Sequence, residues 1–149
     1  MRTRIVIRPY GEADRDQVLD VWYRSASIAH AFLSHAVLDR ERSEIAETFL
    51  PVAETHVYEI DGRVVGFASL LGNQLGGLFV DPDYQRRGIG QALVDLAKAS
   101  RTEIEVEVFE ANGIGRAFYA RYGFKVSGRR SDERTGLEVL QLHMTIDKP

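Results

Sequence analysis

A short glycine-bearing loop, set between an apolar run and an amphipathic stretch, constrains this chain more than any other feature. Leu78-Phe79-Val80 reads as the end of a strand, and Asp81-Pro82-Asp83 closes it. Gln85-Arg86-Arg87-Gly88-Ile89-Gly90 then opens a helix with Ile89, Leu93, Leu96 and Ala97 on its inner side. Glycine at 88 and 90 lets the backbone turn tightly and present its amides outward. Unpaired N–H groups at a helix start lie at the positive end of the helix dipole, where they attract an anion. Arg86 and Arg87 add charge beside them, and a pyrophosphate suits such a loop. No Gly-Lys-Ser/Thr ending is present, so the loop is not a Walker motif. Leu93 stands where a dinucleotide fingerprint has its third glycine. The plainer alternative is a surface loop with two solvated arginines.

The elements around this unit follow from periodicity and punctuation. Ile5 to Arg8 reads as a strand stopped by Pro9. Asp14 or a near neighbour caps a helix with Val18, Val21, Trp22, Ser25/Ala26 and Ala29 on one face. A second helix is predicted from Asp39 to Leu50, with Leu38, Ile45 and Phe49 inward and Pro51 ending it. Strands at 55–60 and 63–71 flank Asp61-Gly62, whose residues supply the positive φ of a tight hairpin turn. Further strands are predicted at 74–80, 104–109, 124–127 and 137–146, with a helix from Asn112 to Tyr122 capped by Gly123 and a polar loop over 128–136. The order is β-α-α-β-β-β-α-β-α-β-β, an α/β fold built around a mixed sheet.

Composition narrows the function classes. The 149 residues are 44% hydrophobic and 28% charged, enough for one domain over 1–149 with an ordinary core and against a disordered or low-complexity chain. With no cysteine, thiolate catalysis, disulfides and Cys-based metal sites are excluded. His35, His56 and His143 do not share a metal-ligand spacing, so no metal is expected. A net charge of −3 argues against nucleic acid as a partner. No apolar run suits a membrane span or a signal peptide, so the expected location is cytoplasmic.

A second constellation is Asn112-Gly-Ile-Gly-Arg-Ala-Phe118-Tyr119-Ala-Arg-Tyr122-Gly123-Phe124. Ile114, Ala117 and Phe118 form a helical stripe, with Tyr119 just off it; the alternative reading is simple aromatic core. Taken with the glycine loop, in this order and at this distance, the segment resembles the GNAT superfamily of N-acetyltransferases. The resemblance covers nearly the whole chain. Trp22-Tyr23-Arg24-Ser25, with His30, Phe32 and Leu33, is further similar to a subgroup of small bacterial members, some of which acetylate protein lysines.

The resemblance implies a GNAT-like acyl-CoA acyltransferase fold, with acetyl-CoA as cosubstrate and a primary amine as acceptor. Leu78, Phe79 and Val80 would run beside the pantetheine arm like an added strand. Gln85, Arg86, Arg87, Gly88, Ile89, Gly90 and Gln91 would hold the pyrophosphate. Asn112 would bond the pantetheine or order the splay between strands. Tyr119 would be the general acid at the thioester sulfur. Homodimers occur in the family, so monomer and homodimer both stay open. Gln74 stands where many members carry a glutamate base, and an amide cannot take a proton. The alternation Ile104-Glu105-Val106-Glu107-Val108 says that one face of its strand is wet. Glu107 is therefore a candidate to bind or deprotonate the acceptor ammonium, against the alternative of a solvated face. His30 is a candidate acceptor-side residue, against the alternative of a packed core histidine. The expected function is an acetyl-CoA-dependent N-acetyltransferase acting by direct amine attack. The alternative is a CoA-binding sensor that kept the fold and lost turnover, which Gln74 favours and Tyr119 disfavours.

Overall fold

Asp61 and Gly62 both take positive φ, 50° and 83°, the geometry that matches a two-residue turn to the twist of its flanking strands. They join β2 (Glu54–Ile60) to β3 (Arg63–Leu71). β4 (Gln74–Val80) follows through Gly72, also at positive φ. The computed structural model describes residues 2–147. With β1 (Ile5–Pro9), β5 (Glu103–Phe109), β6 (Lys125–Ser131) and β7 (Glu138–Thr145), these strands form one seven-stranded sheet in the order β1-β2-β3-β4-β5-β7-β6. Four helical segments cover it: α1 (Arg15–Ala29), α2 (His35–Glu44) continued by a π-helical turn Ile45–Phe49, α3 (Ile89–Lys98) and α4 (Gly113–Tyr122).

Two apolar layers hold the helices to the sheet. On one face Leu93, Val94 and Ala97 of α3 and Tyr119 of α4 pack over Ile104, Val106 and Val108. On the other, Val18, Val21, Trp22 and Ala26 of α1 and Leu38 of α2 pack over Val57, Val64 and Phe67.

One interruption of the sheet positions everything that follows. β4 and β5 are the parallel pair, and they pair only through Gln74 with Glu105 and Leu75 with Val106. Beyond Leu75 they diverge, and β4 loses its partner on that side. The β3–β4 register also shifts here: Ser69 opposes Gly77 and Leu70 opposes Leu75, so Gly76 is an extra, bulged residue. A bulge bends its strand, and glycine is needed because a Cβ on Gly76 would sit 2.6 Å from the Phe49 ring.

Several expectations need correction. Asp14 does not bond forward into α1. Its carboxylate accepts from the Gly11 N–H at 2.8 Å and from both Arg8 terminal nitrogens, capping a short 3-10 turn at Glu12–Asp14. The second helix starts at His35 rather than Asp39, because the Ser34 hydroxyl accepts from the Val37 N–H at 3.2 Å. The predicted polar loop at 128–136 begins late, since Gly128 to Ser131 continue β6 against β7. Along α3, Val94 is buried and Leu96 is 40% exposed, so the buried stripe is rotated from the predicted one. On α4, Ile114 is 51% exposed and Tyr119 is the buried residue.

Candidate active site

A cleft of about 1460 Å³ opens where β4 and β5 separate, bounded by α1, the second helical segment and α4. Leu78, Phe79, Val80, Gln85, Arg86, Gly88, Ile89, Gly90, Gln91, Asn112, Tyr119, Glu107 and His30 all line it. The structure thus brings candidates scattered along the sequence to the walls of one cleft. Arg87 is the exception among them: its guanidinium lies over the Tyr84 ring, 5.1 Å from the centroid. Gln74 sits at the hairpin end of β4, outside the cleft lining.

The glycine loop is built as an anion cradle. Gly88 has φ 78°, and Arg86, without glycine's freedom, has φ 66°. A left-handed non-glycine residue costs roughly 1–2 kcal/mol, and such strain concentrates at functional sites. The first main-chain hydrogen bond of α3 runs from Ala92 N–H to the Gly88 carbonyl. Among the described residues, the N–H groups of 86–91 have no hydrogen-bond partner, so a run of donors stands at the positive helix end. Lys98, Arg121 and Arg86 line this end of the cleft against one carboxylate, Asp95. Asp95 in turn accepts from the Tyr122 hydroxyl at 2.5 Å.

Tyr119 lies where α4 meets the separated strands. Its ring packs edge-on against Phe118 and Phe124, each 5.3 Å away. Among the described residues its hydroxyl has no partner. Burial pushes its pKa well above the usual phenol value, so it stays protonated at neutral pH. Asn112 caps α4: its Oδ1 accepts from the Gly115 N–H at 2.9 Å, which turns its Nδ2 toward His30 Nε2 at 3.4 Å. Nε2 is then the acceptor, and His30 Nδ1 carries a proton with no partner. The imidazole is boxed by Phe32, Phe79 and Phe109. Burial lowers its pKa to about 4, so the ring is neutral.

The opposite end is acidic. Glu41, Glu44, Glu107 and Asp132 line it against Arg130 and Arg134. Glu107 accepts two hydrogen bonds from Arg130, both 2.8 Å, and one from Gln141. The Arg130 guanidinium holds its carboxyl below the ordinary range. Glu107 stands on the cleft wall as a paired carboxylate, two residues past the Gln74–Glu105 pair and so abreast of Gly76.

Sequence reasoning misses three parts of this site. The Gly76 bulge has a signal, a Gly-Gly pair inside a strand. Glu41 also has one: it shares the helical face of Ile45 and Phe49, which the sequence places inward. The Arg24–Asp81 ion pair, 2.5 Å, has none, since its partners lie 57 residues apart.

Residues 51–126, which carry β2 to β5 with the bulge and the anion loop, match the family model of the acetyltransferase (GNAT) domain. The chain belongs to the GNAT acetyltransferases. The acetyltransferase is 35% identical over 133 residues to the peptidyl-lysine N-acetyltransferase YjaB of Salmonella typhimurium (strain LT2), covering 89% of this chain and 91% of that one. The solution structure of apo-form YjaB from Escherichia coli superposes with a TM-score of 0.84 at 31% identity, over 94% and 97% of the two chains. The PaiA N-acetyltransferase of Thermoplasma acidophilum, solved in complex with coenzyme A, shares the fold with a TM-score of 0.76 at 21% identity, over 93% and 98%. Acetyl-CoA is the acyl donor of the family. Among the described residues no helix is long and apolar enough to cross a membrane. His143 does have acidic neighbours, Glu103 and Glu105, with ligand atoms within 4.8 Å of one another, but none of the three lines the cleft.

Proposed function

We propose that this acetyltransferase moves the acetyl group of acetyl-CoA to the side-chain amine of a protein or peptide lysine by direct attack. The observation that carries the reading is the cleft's polarity: free backbone amides and cations at one end, an excess of carboxylates at the other. The first suits a diphosphate, the second an ammonium. The names of the YjaB relatives supply the acceptor class. The whole chain, 1–149, acts as one catalytic domain in the cytoplasm.

In this reading the amides of 86–91 hold the pyrophosphate, and Leu78 to Val80 pair with the pantetheine along the edge that β5 leaves open. Asn112 orders that splay by capping α4. His30, occluded and neutral, shapes the acceptor wall. Glu107, kept ionised by Arg130, draws the acceptor ammonium inward. Its lowered pKa makes it a weak proton acceptor, so the ammonium proton leaves to water before attack. The neutral amine then forms its bond to the thioester carbonyl carbon, and β4 N–H groups freed by the splay face the developing oxyanion. When the C–S bond breaks, Tyr119 gives its proton to the CoA sulfur, and the proton shed by the attacking nitrogen returns the tyrosinate to its neutral form.

A lysine-peptide panel with acetyl-CoA, read by free CoA release and by peptide mass, tests the proposal. Transfer to peptide lysines is expected. Tight acetyl-CoA binding with no transfer to any amine would support the sensor reading instead.

A further inference from the structure

Two irregularities of the chain meet at the closed end of the cleft. One is the Gly76 bulge of β4. The other is the π-helical turn Ile45–Phe49, where the Leu50 N–H reaches five residues back to the Ile45 carbonyl at 2.8 Å. Such a turn carries one residue more than an α-helix would, and these insertions concentrate at functional sites. Here two successive side chains face inward: Leu50 is buried in the core layer of Val57 and Phe67, while Phe49 lines the cleft. The Phe49 ring fills the space that a side chain at 76 would take. A Cβ there would lie 2.6 Å from its Cζ and 2.9 Å from its Cε1.

That ring completes a pocket with three walls. β4 and β5 meet at Leu75 and Val106, both buried, and this pair closes the apex of the gap between the strands. Tyr119 borders the gap from the sheet face that carries α3 and α4. Phe49 borders it from the other face, where Ile45 and Ala46 of the same helical turn pack in the α1 layer. Apart from the Tyr119 hydroxyl, the three walls are hydrocarbon.

Val80 precedes the anion loop, and Gly76 lies four residues back along β4, about 13 Å of strand. A donor held by its diphosphate at 86–91 and running back along the free edge of β4 brings its acyl end to this pocket. We infer that Phe49 is a specificity-determining residue that limits the acyl group: the pocket takes acetyl and rejects longer chains such as butyryl. Packed walls resist added methylenes, and one methylene in an apolar pocket is worth about 10- to 200-fold in discrimination. The inference rests on the placement of acetyl-CoA given above and deepens it to the choice of acyl group.

The test uses the full-length protein with acetyl-CoA, butyryl-CoA and free CoA. Affinities are measured by calorimetry, and kcat/KM for each donor with a lysine peptide. The wild type is expected to favour acetyl-CoA over butyryl-CoA by at least about tenfold in kcat/KM and to bind butyryl-CoA more weakly than acetyl-CoA. Phe49→Ala is expected to move the butyryl-to-acetyl ratio toward or past one while free CoA binds as before. Phe49→Leu, which keeps more of the packing, should move it the same way by less. A general loss of packing weakens all donors together and leaves the ratio where it was, so the ratio separates selection from stability. A shift of the ratio in affinity or in turnover supports the filter. Equal use and equal binding of both donors by the wild type overturns it and leaves the lysine reading intact, and so does a ratio that neither variant moves. An affinity ratio that Phe49→Ala shifts, with no peptide acylated by either donor, supports the filter and overturns the lysine reading.

Discussion

In the proposed mechanism Tyr119 is the general acid, and the role falls to one hydroxyl. Burial keeps the phenol protonated, and no group of the described chain occupies it. Tyr119→Phe removes the hydroxyl and keeps the edge-on packing with Phe118 and Phe124. The expected outcome is a drop in kcat of at least tenfold, about 1.4 kcal/mol of barrier, with unchanged melting temperature and acetyl-CoA affinity. Parent-like turnover would make the residue packing only. His30 carries a stability signature. Its folded pKa, about 4, lies below the 6.5 of the free ring, so the unfolded chain binds the proton more tightly. Its contribution is fully present above pH 6.5 and declines as pH falls toward 4, costing about 3 kcal/mol when complete. Glu41, with its raised carboxyl, acts in the opposite sense just above 4.5. Thermal melts between pH 7 and 4.5 should show a decline that His30→Gln flattens; identical slopes would refute the assignment.

At the scale of elements, the glycine loop is a conformational device as much as a chemical one. A Cβ on Gly88 meets nothing within 4 Å, so space does not explain the glycine; its φ of 78° does. Gly88→Val is expected to strain the turn, misdirect the amides of 86–91 and weaken acetyl-CoA by at least about tenfold in calorimetry. Unaltered affinity would mean that the loop does not hold the diphosphate. The loop is legible in the sequence alone, because paired glycines at a helix start state their own geometry. Tyr119 and Asn112 are legible for the same reason: their helix begins and ends on local signals, Asn112 and Gly123. The end of β6 is not. Residues 125–131 show no alternation, being exposed along nearly their whole length, and only pairing with β7 makes 128–131 a strand. The stripe of Ile114, Ala117 and Phe118 reads as core because periodicity reports which residues share a face, and says nothing of whether protein or ligand covers it.

At the scale of the whole molecule, Asp81, whose side chain is 1% exposed, ties α1 and β3 to the entry of the anion loop. Its carboxylate pairs with Arg24 of α1 at 2.5 Å and with Arg63 at 3.5 Å, and it accepts from the Asp83 N–H at the entry to the anion loop. Asp81→Asn leaves Arg24 with Asp83 as its carboxylate partner. It is expected to lower stability and to weaken acetyl-CoA together with acceptor use, as read by denaturant melts and calorimetry. A stability loss confined to unfolding, with both affinities retained, would make Asp81 a purely structural anchor. Residue order alone determined the element order, the tight turns, the anion loop and the tyrosine-bearing helix, because these depend on contacts within a few residues. Only the tertiary structure decided that β4 and β5 part after Leu75, that Glu107 is paired with Arg130, and that Arg134 reaches Glu44. Those outcomes are settled between residues 23 to 90 positions apart, as for Arg130–Glu107 and Arg134–Glu44. No local pattern encodes which carboxylate a distant arginine will reach.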